Sequence, residues 1–99
     1  MKVYLVCNLG MSTGILQMKL EEEAARLGQS VSVLAVPLGE VKEVVAEADI
    51  ILLGPQIRFA YDDVKRQMGD KPVLLISPQD FGMMNAERIM KEILAQVNQ

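Results

Sequence analysis

The run Ile50-Ile51-Leu52-Leu53 is apolar at every position and is bounded by Asp49 on one side and Gly54-Pro55 on the other. A strand with one wet face alternates apolar and polar residues, whereas a short unbroken apolar run between turn signals suits a strand covered on both faces. Such a strand needs a helical layer above it and another below. Three more segments read as strands beside it. These are Lys2 to Val6, then Val31 to Val36, stopped by Pro37, and Val73 to Ile76, opened by Pro72 and closed by Ser77-Pro78.

Helical spacing fills the intervals. Leu16, Leu20, Ala24 and Leu27 form a stripe that ends at Gly28, placed for a left-handed cap, and Glu21, Glu22 and Glu23 mark the solvent side. Glu40 to Glu47 read as a short helix with Val41, Val44 and Val45 inward. Ile57, Tyr61, Val64 and Met68 repeat at the same spacing up to Gly69. Gln79-Asp80-Phe81-Gly82 read as a loop, after which Asn85 is placed to cap a last helix with Ile89, Ile93, Leu94 and Val97 inward. Strands alternating with helices predict an α/β fold, a single open four-stranded parallel sheet flanked by helices on both faces. The strand order read for it is 2-1-3-4. With 99 residues and 51% hydrophobic content, residues 1–99 suit one domain around one core.

Ligands of such sheets sit beyond the carboxyl ends of the strands, where strand order reverses. In this chain that point lies between the first and third strands. It brings the turn Cys7-Asn8-Leu9-Gly10-Met11-Ser12-Thr13-Gly14 opposite Gly54-Pro55-Gln56, with Ser77 to Phe81 at the rim. The turn joins a strand to a helix expected to start at Ser12 or Thr13, and it holds the chain's one cysteine, two glycines and two hydroxyls. Free N–H groups and the positive end of a helix dipole attract anions, so backbone between Asn8 and Gly14 can cradle a phosphoryl group. The same field is expected to lower the pKa of Cys7 and make it a nucleophile. A lone cysteine at a strand end is more often a small buried hydrophobe. Packing a strand end does not, however, require Gly10, Ser12, Thr13 and Gly14 together.

Composition removes several other classes. The net charge is −3, and two tyrosines and two phenylalanines are the only aromatics, which argues against a nucleic-acid surface. One cysteine forms no internal disulfide, and the short N-terminal apolar run lacks a small-residue cleavage site, so a cytoplasmic location is expected. No apolar stretch approaches the roughly 18 residues of a membrane span. Contact with a membrane would therefore come through a partner. The chain has no histidine, which removes an internal imidazole base, a Cys-His hydrolase and an imidazole metal site. No metal and no diffusible cofactor is expected.

Cys7 closing the first strand, Gly10-Met11-Ser12-Thr13 just after it, and Leu52-Leu53-Gly54-Pro55-Gln56-Ile57 at the third together resemble the lactose/cellobiose (chitobiose) family of enzyme IIB. These are components of the bacterial phosphoenolpyruvate-dependent sugar phosphotransferase system. The resemblance spans nearly the whole chain and implies a four-stranded parallel sheet, similar to low-molecular-weight tyrosine phosphatase. It implies that Cys7 takes a phosphoryl group from a phosphohistidine of enzyme IIA and passes it to a β-linked sugar held by the membrane permease, enzyme IIC. On that reading residues Asn8, Leu9, Gly10, Met11, Ser12, Thr13 and Gly14 hold the phosphoryl group, and Gly54, Pro55 and Gln56 form the facing turn. Met11 is also a possible apolar contact for either partner.

Two other classes compete. A low-molecular-weight tyrosine phosphatase or thiol arsenate reductase resembles this pattern, but its loop carries an arginine where this chain has Thr13. Arg58 and Lys19 fall outside the loop, and without a bidentate clamp ester hydrolysis is poorly supported. Asp80 could imitate a phosphatase general acid, although a loop aspartate is the simpler reading. A receiver-like binding module would need an aspartate after the third strand, where Gly54 stands.

Overall fold

The computed structural model describes residues 1–7 and 11–97, and at positions 11 and 12 the backbone alone. Strands β1 (Lys2–Val6), β2 (Ser32–Val36), β3 (Ile50–Leu53) and β4 (Val73–Leu75) form one sheet in the order β2-β1-β3-β4. Every pairing is parallel, with Leu5 opposite Ala35 on one side and Leu52 on the other. The expected topology and order are therefore observed.

Successive side chains of a strand point to opposite faces, and this alternation divides the core into two layers. Val3, Leu5, Ile50 and Leu52 pack on one face with Leu16, Leu20 and Ala24 of α1 (Met11–Arg26) and Ile89, Met90 and Ile93 of α5 (Ala86–Val97). Tyr4, Val6, Ile51 and Leu53 pack on the other with Val41 of α2 (Val41–Val44) and Val64 and Met68 of α3 (Tyr61–Met68). All four residues of β3 are fully buried. The unbroken apolar run is the signature of that double coverage.

Several expectations change in detail. The helix expected over Glu40 to Glu47 is a 3₁₀ turn, Leu38–Glu40, followed by only the four residues of α2. Branching at the β-carbon of Val41, Val44 and Val45 weakens a longer helix. The stripe Ile57 to Met68 is interrupted as well. Pro55–Ala60 form 3₁₀ geometry in which Ile57 takes φ −120° and ψ 27°, and α3 begins only at Tyr61. Ile57, Val64 and Met68 are nonetheless buried. The segment Gln79 to Gly82, expected as a loop, lies in a short helix, α4 (Pro78–Gly82). Ser77-Pro78 ends β4 and starts α4 at once, because Ser77 Oγ accepts from Asp80 N at 3.1 Å and proline suits the first helical position.

Gly28 and Gly69 take positive φ, 73° and 65°, where helices were expected to stop. Asn85 Oδ1 accepts from Arg88 N at 3.3 Å, as expected of a cap. Leu94 and Val97 are partly buried against this core, as expected of the inward face of α5, and Met90 joins Ile89 and Ile93 as a fully buried residue of it, while Leu27 lies exposed beyond the end of α1. The three glutamates do not share one role. Glu21 Oε2 accepts from Val33 N at 2.9 Å while Gln17 Nε2 donates to Val33 O at 2.6 Å. One turn of α1 thus satisfies the outward backbone groups of Val33 on edge strand β2, a site otherwise open to pairing with another chain.

Candidate functional site

The sheet brings Cys7 and Gly54 together. Gly54 N donates to Val6 O at 3.0 Å, which carries the β1 to β3 pairing one residue past the strands. Gly54 has φ −66° and ψ 154°, ordinary extended backbone that any residue adopts, so its conformation does not require glycine. Space does. A β-carbon built on Gly54 lies 3.0 Å from Cys7 Cβ, 2.7 Å from Gln56 Oε1 and 3.6 Å from Phe81 Cε2. The missing side chain lets the cysteine, the facing turn and the aromatic ring of α4 converge on one point.

Cys7 is 2% exposed and Thr13 3% exposed, and Cys7 Sγ and Thr13 Oγ1 share a hydrogen bond of 2.8 Å. Thr13 is held in the first turn of α1, so the helix start presents its hydroxyl to the strand end. Burial pushes the Cys7 thiol pKa up, and the hydrogen bond from Thr13 pulls it part of the way back. The net direction is upward. The expectation of a lowered pKa is thus reversed for the resting thiol, because removing a thiolate from water outweighs the hydrogen bond to the Thr13 hydroxyl.

Asn8, Leu9 and Gly10 lie outside the described residues, as do the side chains of Met11 and Ser12. Helix α1 starts at Met11, slightly earlier than expected, and Gly14 is an exposed residue of its second turn. A β-carbon on Gly14 meets nothing within 4 Å. Pro55 opens the 3₁₀ segment, and with Arg58, Leu75, Ile76, Ser77 and Pro78 it lines a depression of about 250 Å³. Arg58 is exposed on that segment, whereas Asp80 pairs with Arg88 of α5 at 3.4 Å and is mostly covered. Asp80 therefore ties α4 to α5. Two large apolar side chains stand in solvent on neighbouring segments, Phe59 at 77% and Met83 at 76% exposure. Periodicity could not single them out, since each sits in a short or irregular element.

The model of one protein family, described as PTS system, lactose/cellobiose specific IIB subunit, matches residues 2–92. The chain belongs to this family. It is a lactose/cellobiose-type IIB component of the sugar phosphotransferase system, and membership supports a phosphotransferase role. It is 31% identical, over 99% of its length and 98% of the relative's, to the PTS system oligo-beta-mannoside-specific EIIB component of Bacillus subtilis (strain 168). It is 30% identical to the galactose-specific EIIB component of Lactococcus lactis subsp. cremoris (strain MG1363), over 89% of this chain and 88% of that one. The solution structure of the cellobiose-specific phosphotransferase IIB component from Borrelia burgdorferi superposes with a TM-score of 0.81 at 30% identity, covering 99% of this chain and 92% of that one. The lactose-specific IIB domain from Streptococcus pneumoniae shares the fold, with a TM-score of 0.80 at 18% identity over 97% and 96% of the two chains.

Four outcomes follow for this IIB component. Gly54→Ala should lower the thermal midpoint, by about 1–3 kcal/mol of stability, because the new methyl group meets Cys7 and Gln56. Gly14→Ala, with open space and helical backbone, should raise stability by about 0.5–1 kcal/mol. The pH profile of Cys7 alkylation by iodoacetamide should have its midpoint above the ordinary value of 9.0. Thr13→Val should move that midpoint higher still, since the hydroxyl favours the thiolate; a midpoint moving down would contradict the assigned cause.

Proposed function

We propose that Cys7 is the phosphoryl acceptor and donor of this IIB component, and that residues 1–99 act as one carrier domain. The observation that carries the reading is the position of the chain's one cysteine. It stands at the carboxyl end of β1, against Gly54 just past the end of β3 and within 2.8 Å of the first-turn hydroxyl of Thr13. That is the switch point of the parallel sheet, where ligands of such folds sit.

In the first step the N–P bond of a phosphohistidine on enzyme IIA breaks as an S–P bond forms to Cys7. The thiol proton goes to the released imidazole nitrogen. A thiol whose pKa is raised keeps that proton until the leaving group can take it, so no internal histidine is needed. In the second step S–P breaks as the phosphorus bonds to a hydroxyl oxygen of a sugar on the permease, enzyme IIC, and the hydroxyl proton returns to sulfur. The phosphoryl group on Cys7 is the only prosthetic group in the cycle.

Phosphoryl transfer depends mainly on positioning and on stabilising the equatorial oxygens. Backbone amides from Asn8, Leu9, Gly10, Met11, Ser12, Thr13 and Gly14, with the Ser12 and Thr13 hydroxyls, fill that role, and Gly54, Pro55 and Gln56 wall the other side. Thr13 stands where phosphatases carry an arginine. Its neutrality favours a carrier, because an intermediate to be handed on gains from slow hydrolysis. Among the described residues no helix is long and apolar enough to cross a membrane. The proposed location is the cytoplasmic face, through enzyme IIC. The substrate class is a β-linked oligosaccharide of the cellobiose, chitobiose or lactose type, supported by relatives named for cellobiose and oligo-beta-mannoside.

Intact-mass measurement after mixing with phosphorylated enzyme IIA at neutral pH tests this. The wild type should gain one phosphoryl group that persists once enzyme IIA is removed, and Cys7→Ser should gain none. Neither should release phenol from an aryl phosphate. Rapid Cys7-dependent release would favour the phosphatase reading instead.

A further inference from the structure

Resting on Cys7 as the phosphoryl carrier, we infer that the Gln56 carboxamide is a direct ligand of the transferred phosphoryl group, supplying from the facing turn a donor that the loop lacks in the absence of an arginine. Gln56 Oε1 and Cys7 Cβ both lie within 3.0 Å of the point where Gly54 would carry a β-carbon. The glutamine is otherwise an exposed residue of a 3₁₀ segment, with water on offer in every other direction. Its side chain instead folds back over Gly54 to the end of β1. The backbone sets this up: Pro55 starts the 3₁₀ turn, and Ile57 N donates to Gly54 O at 3.1 Å, placing position 56 at the head of the turn.

The carboxamide makes no hydrogen bond to any described residue. It therefore has two N–H donors and one acceptor uncommitted beside a nucleophile. Its oxygen and nitrogen ends exchange by a simple flip of the amide, so a phosphoryl oxygen arriving at Cys7 can be met by Nε2. Two described polar side chains at α4 are already engaged. Asp80 is paired with Arg88, and Ser77 Oγ accepts from Asp80 N as the cap of α4. A neutral amide also suits a carrier better than a guanidinium. It steadies the oxygens in both transfers without holding the charged product as an arginine clamp would.

The experiment measures single-turnover phosphorylation of the protein by phosphorylated enzyme IIA, with enzyme IIA varied to saturation, for the wild type, Gln56→Leu and Gln56→Glu. The side chain is exposed, so both variants should unfold at the wild-type midpoint. Gln56→Leu should lower the saturating rate about ten- to a hundredfold, as expected for the loss of one preorganised donor to a developing oxyanion, with the half-saturating concentration little changed. Gln56→Glu should be slower still at pH 7.5. Relative to wild type at each pH, it should recover towards pH 5, where the carboxyl group is partly protonated and can donate. Gln56→Leu should show no such recovery. A wild-type saturating rate in Gln56→Leu, or a change confined to half-saturation, would overturn the inference and leave Cys7 as the carrier. Failure of the wild type itself to load at Cys7 would remove the parent reading, and this one with it.

Discussion

The structure depends on how closely the carboxyl ends of β1 and β3 approach. Their pairing continues past the strands through Gly54 N and Val6 O, and the contact it creates leaves no room for a side chain at Gly54. Everything at the site is placed by that approach. Cys7 is held by the sheet, Thr13 by the first turn of α1, Gln56 by the 3₁₀ turn that Pro55 begins, and Phe81 by a helix started at Ser77-Pro78. The rigid part of this arrangement is the doubly covered core, in which β3 is buried throughout and β1 nearly so. Close-packed interiors resist displacement, and so the site's geometry is inherited from packing on both faces of the sheet.

Electrostatically the site differs from a hydrolase that carries a standing thiolate. Burial holds Cys7 as a thiol, and Thr13 offers one hydrogen bond that eases its ionisation. A nucleophile in this state suits exchange with a donor whose leaving group accepts the proton. The absence of histidine in the chain fits the proposed division of labour, in which the imidazole is that of enzyme IIA.

Much of this was legible from residue order. The unbroken run Ile50 to Leu53 implied coverage on both faces, and the position of Cys7 after one strand and Gly54 after another implied their meeting. The elements that depart from their residue spacing are those governed by short-range geometry. Valines at 41, 44 and 45 kept helical spacing but supported only one turn, and the stripe from Ile57 to Met68 hid a break at Ile57. Ser77-Pro78 carried two messages at once, a strand stop and a helix start. The rise in the thiol pKa was illegible because desolvation depends on how deeply the sheet end is buried. Glu21 looked like one of three solvated charges, and only the path of β2 beside α1 gave it a backbone partner.

The most direct test of the account is phosphorus NMR of the wild-type protein, isolated after loading by phosphorylated enzyme IIA. A single protein-bound resonance in the S-phosphorylated cysteine range is expected, absent from Cys7→Ser and lost when an acceptor sugar and the permease are added. A resonance of an O-phosphorylated or N-phosphorylated side chain, or free phosphate alone with no bound intermediate, would contradict it.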